Sequence, residues 1–195
     1  MILRILILVL ALGSNLTSPL FAACERGDFL IAETGGVPGA SPGVPILLDF
    51  SDFFALMPND NTGAGAFIPI GAPIPFPQTG STNGVIVRTG GVSSSTTFVL
   101  PAIGTYLIEF QASVANGFSA GQLELSVNGV PLASSVVGRD TGTDQIVGIS
   151  LLTTTTPNTT ISVINPPTAT AALQLTTIAG GTHPVSAHLV IIRIL

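Results

Sequence analysis

The chain has 195 residues, 46% of them hydrophobic and only 8% charged, with five arginines, no lysine and ten acids for a formal net charge of −5. Soluble domains ordinarily carry about 25% charged residues, and coiled coils or long surface helices need Glu and Lys for their polar faces, so both are excluded. The scarcity of cations also excludes sequence-independent nucleic-acid binding, and the apolar fraction excludes disorder.

Residues 1–23 read as a secretory signal peptide. Arg4 supplies the positive start, residues 5–12 an apolar run, and Ser18-Pro19-Leu20-Phe21-Ala22-Ala23 a small-residue exit. That run is far short of the ~20 residues a membrane-spanning helix needs; the competing reading is a hydrophobic strand retained in the fold. Cys24 is the only cysteine, so no intramolecular disulfide forms. Leu20-Phe21-Ala22-Ala23-Cys24 resembles a bacterial lipobox, with Phe21 where an aliphatic residue is usual. Cys24 is therefore a candidate lipidation site, its other fates being an intermolecular disulfide or a free thiol. Membrane attachment is expected only if Cys24 is lipidated. Residues 24–48 form a Gly/Pro-rich linker. Gly36, Gly39 and Gly43 break the strict period of three that a collagen triple helix demands.

From residue 49 to 195, short apolar runs recur between turn signals, the pattern of an all-β sandwich. Strands are predicted over residues 52–57, 84–88, 96–100, 105–114, 122–127, 130–137, 144–154, 159–164, 172–178 and 186–195, with no helix. The most regular alternation is in 105–114, where Tyr106, Ile108, Phe110, Ala112 and Val114 share one face and Leu107, Glu109, Gln111 and Ser113 the other. Asn128-Gly129 marks a two-residue hairpin turn, because both central positions of such a turn need positive φ.

Catalytic, cofactor and metal sites are not expected. The two histidines, His183 and His188, have no cysteine or carboxylate cluster near them in sequence, whereas metal sites want three or four ligands. No G-x-S-x-G nucleophile elbow or phosphate loop occurs. The loop Arg139-Asp140-Thr141-Gly142-Thr143-Asp144 offers carboxylates to calcium, although such acids more often cap turns.

The strand pair Phe98-Val99-Leu100-Pro101-Ala102-Ile103-Gly104-Thr105-Tyr106 resembles the F-x-x-P-x-x-G-x-Y pattern of complement-C1q and tumour-necrosis-factor-like domains. Leu125-Ser126-Val127-Asn128-Gly129-Val130-Pro131-Leu132 and the ending His188-Leu189-Val190-Ile191-Ile192-Arg193-Ile194-Leu195 are similar to the BclA carboxy-terminal domain family, the heads of collagen-like spore-surface glycoproteins. The resemblance implies a ten-stranded jelly roll assembled as a homotrimer, with the first, third, sixth and last strands near the threefold axis. The signal peptide and the lack of a long collagen-like stalk differ from the spore-surface members.

A mean hydropathy of +0.68 agrees with assembly, because a monomer would expose this apolar surface to water. The expected trimer interface comprises Leu107, Glu109 and Gln111, opposite the core face of their strand, with Leu189, Ile191 and Arg193 of the last strand. Arg193 is expected either to pair with Glu109 there or to reach solvent on its long stem. The functional expectation is a non-enzymatic, secreted or surface-displayed structural or adhesive protein on a cell surface, spore or outer-surface layer. Its partners would be copies of itself, surface glycans or other coat proteins. A carbohydrate-binding module is the alternative, and a hydrolase the least favoured class.

Overall fold

Residues 48–57, 60–61, 66–89, 95–115, 121–140, 144–176 and 185–195 are described by a computed structural model, Asp144 by its backbone alone. The predicted signal peptide, Cys24, the linker before Leu48, His183 and residues 141–143 of the candidate calcium loop lie outside them.

Strands β1 (Asp49–Leu56), β3 (Gln78–Thr82), β6 (Thr105–Val114), β10 (Asp144–Thr153) and β13 (Val185–Arg193) form one sheet in the order β10-β6-β13-β1-β3, antiparallel throughout. The second sheet runs β4 (Val87–Arg88), β5 (Phe98–Leu100), β11 (Thr159–Ile164), β7 (Gly121–Val127), and β7 also pairs with β8 (Val130–Pro131) and β9 (Val137–Arg139). A short ribbon joins β2 (Phe67–Ile68) to β12 (Leu173–Gln174). The strands β5, β6, β7, β10, β11 and β13 alternate between the two sheets, and β1 lies beside β13. This is the jelly-roll connectivity the resemblance implied, its sheets holding five and six strands.

Local chemistry explains the long elements. In β6 the residues Tyr106, Ile108, Phe110 and Ala112 are buried between the sheets, as the alternation predicted. Asn128 and Gly129 take φ of +50° and +80°, so the predicted two-residue turn joins β7 to β8. The predicted strand 130–137 is nevertheless broken. Pro131 has no N–H to continue a ladder, and the chain passes into a 3-10 turn at Ala133–Ser135. There the Leu125 amide donates to Ser135 Oγ at 2.8 Å, and that hydroxyl donates to Leu132 O at 2.7 Å, in place of strand pairing.

Short edge elements also depart from the reading. The expected strand 84–88 contracts to β4, and the polar Gln78-Thr79-Gly80-Ser81-Thr82 stretch, where no strand is predicted, forms edge strand β3. The core centres on Phe53, Phe76 and Phe98, with ring centroids 4.5 Å (Phe53–Phe98) and 6.0 Å (Phe76–Phe98) apart. Among the described residues no helix is long and apolar enough to cross a membrane.

Candidate assembly interface

The five-stranded sheet turns one face to the core and the other away from it. Register defines three rows of side chains on the outer face, each crossing β10, β6, β13 and β1. The first is Leu151, Leu107, Ile192 and Phe50. The second is Ile149, Glu109, Val190 and Asp52; the third is Val147, Gln111, His188 and Phe54. Side chains directly opposite on one face are in contact, so the first row is a continuous aliphatic and aromatic ridge. On β10, Ile149 and Leu151 are each 65% exposed and Val147 46%. Exposure of this extent in three alternate residues of one strand is an unpartnered apolar surface, not scattered surface hydrophobes.

A polar inset interrupts this face. The Asp52 carboxylate meets His188 Nε2 across β1 and β13. Phe54 presents its ring edge-on to the imidazole, centroids 6.4 Å apart. Gly80 of β3 leaves room for the carboxylate, which a Cβ at that position would strike. Beside the pair, Glu109, Gln111, His188 and Val190 surround a depression of about 250 Å³.

The structure separates the residues expected at the interface. Leu107, Glu109 and Gln111 lie on the outer face. Leu189 and Ile191 do not: they are fully buried, opposite Phe110 and Ile108 in the core. The alternation of the last strand is correct but its inward side is the reverse of the one expected, and His188, Val190 and Ile192 take the outer positions. Arg193 likewise shares the core side, opposite Tyr106 and Asp49. Its Nη1 donates to Asp49 Oδ2 at 3.2 Å, Nη2 to Ile103 O at 3.1 Å, and Nε to Leu195 O at 3.1 Å. It therefore pairs with Asp49, while Glu109 stands opposite Val190 on the other face.

Phe50, Asp52, Phe54, Val147, Ile149, Leu151, Val190 and Ile192 also stand on this outer face, beyond the residues expected there. The available signal was the unbroken spacing of Val147, Ile149 and Leu151, alternating with the small residues Gly148 and Ser150. Among the described residues no three His, Cys, Asp or Glu side chains gather to hold a metal ion. A second depression, about 210 Å³, lies at the β3–β4 edge beside Phe53, Ile86 and Arg88. Arg88 there is committed to the fold, with Nε on Phe76 O, Nη2 on Thr79 Oγ1, and its guanidinium 5.0 Å from the Phe53 ring centre.

No curated protein matches the chain. Solved structures that resemble it include murine APRIL, at 12% identity and a TM-score of 0.48, covering 74% of this chain and 98% of that one. The globular domain of zebrafish complement 1qA is 13% identical with a TM-score of 0.46, covering 74% of this chain and 94% of the other. The family model of the BclA C-terminal domain matches residues 56–195, from the end of β1 through β13. The chain belongs to the BclA C-terminal domain family.

Proposed function

We propose that this domain is a self-assembling structural head, a homotrimer formed through the outer face of the five-stranded sheet and displayed outside the cell that makes it. The observation that carries the proposal is the ridge Leu151–Leu107–Ile192–Phe50 with its exposed neighbours Ile149 and Val147. Obligate interfaces resemble a domain core cut in half, and eight of the twelve side chains in the three rows are aliphatic or aromatic. Leu107, Glu109 and Gln111 belong to this interface; Phe50, Val190 and Ile192 extend it. The family membership and the jelly-roll connectivity support the same reading. The signal-like start supports export, and Cys24 supplies a lipid attachment point next to it. Surface glycans and other coat proteins are the partners proposed for the exposed loops, giving the head an adhesive or coat role.

Sedimentation equilibrium of the purified chain tests this. A single species of three times the chain's mass is expected. Lone subunits at dilute and concentrated loading, or a closed dimer, would refute it.

A further inference from the structure

We propose that association through this face is coupled to protonation of His188, so that the assembly tightens in mildly acidic solution and loosens as pH rises. The inference rests on the self-assembly reading and adds its regulation.

Every described group around His188 points to this. From β1 it faces the Asp52 carboxylate and the Phe54 ring edge. From β6 it faces Gln111 directly and Glu109 on the diagonal, one row away. Beyond β1, strand β3 brings Gln78, Thr79 and Gly80, none ionisable, and Asp60 near that strand is occupied by Gln78 and the Leu56 amide. Beyond β6, strand β10 brings Val147 and Ile149. The nearest cations are directed elsewhere: Arg193 holds Asp49 on the core side, and Arg88 lies over the Phe53 ring. His188 is therefore the one side chain among the described residues of this face that can offset its two carboxylates.

Protonation of His188 sets the charge that each face brings to the assembly. With neutral imidazole, Asp52 and Glu109 leave each face at −2, so three faces bring −6 together. With His188 protonated each face carries −1, and three bring −3. Covering the face removes the water that screens these charges, so the energy of crowding them rises as they are buried. The assembled state then binds protons more strongly than the separated subunits. Association accordingly takes up protons, and its constant falls as pH rises through the histidine range of about pH 5 to 8. The limiting slope is three protons per trimer.

Sedimentation equilibrium at constant ionic strength between pH 5.5 and 8.5 tests the coupling. The wild-type association constant is expected to fall at least about tenfold across that range. His188→Gln should flatten the profile. Glu109→Gln, at an exposed position that leaves the core untouched, should associate more tightly than wild type at pH 8.5. A trimer whose association is equally strong at every pH would overturn the coupling and leave the assembly reading standing. Lone subunits at every pH would overturn the assembly reading itself. A pH profile that survives His188→Gln would remove His188 from the role, as would a Glu109→Gln chain no tighter than wild type at pH 8.5.

Discussion

Replacing Ile149 by alanine separates assembly from folding. In the single chain this side chain is 65% exposed, on the outer side of β10 opposite Glu109. Fully burying an isoleucine is worth about 1.5–3 kcal/mol, so roughly two thirds of that, about 1–2 kcal/mol, is gained only when a neighbour covers the face. A threefold assembly contains the position three times. The substitution should therefore weaken association by about 3–6 kcal/mol, or roughly 10²- to 10⁴-fold in the trimer association constant. The core loses almost nothing, because the side chain leaves the sheet on the side away from Phe110 and Ile108. Sedimentation equilibrium over a wide concentration range measures the first effect. Thermal melting of the dissociated subunit measures the second and should stay within about 0.5 kcal/mol of wild type. An association constant within threefold of wild type would refute the argument, whatever the melting temperature.

Three further substitutions probe the sides of the sheet. Leu189→Ala, in the core opposite Phe110, should cost about 2–5 kcal/mol of folding stability in urea denaturation; a loss below 1 kcal/mol would contradict its inward placement. Arg193→Leu leaves the buried Asp49 without its guanidinium and should cost about 1–3 kcal/mol of folding stability while association is unchanged. A selective loss of association would restore Arg193 to the interface. Glu124, on β7, is buried, and burial holds its carboxyl above the usual carboxylate range. The native chain therefore binds that proton more readily than the unfolded chain, and stability falls as pH rises from the ordinary carboxylate value to the raised one. Glu124→Gln should melt above wild type at pH 7 and lose that advantage below about pH 4; an advantage that is the same at both values would refute the burial argument.

Much of the fold was legible because its longest strands carry local signals strong enough to survive without their partners. The β6 strand shows clean alternation between large apolar and polar side chains, and its observed bounds and inward face are those predicted. The β11 strand matches its predicted bounds, and β10 differs by one residue. The Asn128-Gly129 turn follows from the two residue types that best tolerate positive φ. Short edge strands were not legible. β3 consists of Gln, Thr, Gly and Ser residues that become a strand only because β1 lies beside them.

Of the six residues expected at the interface, the three on β6 were legible for the same reason. Glu109 and Gln111 contrast with Tyr106 and Phe110, so β6 declares its outward side. β13 makes no such declaration: Leu189 and Ile191 on one side are matched by Val190 and Ile192 on the other, and hydrophobicity cannot choose between them. β10 is more misleading, because Val147, Ile149 and Leu151 point away from the core, while the small Gly148 and Ser150 share the inward side with Ile146 and Leu152. The Phe110 ring fills the space where a side chain at Gly148 would stand, which makes the glycine the inward residue.

Composition and alternation thus established an all-β sandwich that is too apolar to be content with water alone, along with the orientation of its central strand. Which side of β13 and β10 faces inward, which acid Arg193 meets, and that Asp52 joins His188 across 136 positions of chain were decided by strand pairing in three dimensions. The physical reason is that a strand's two faces are distinguished locally only by a contrast in polarity. Where both are apolar, the choice passes to the register against a neighbour that already has one.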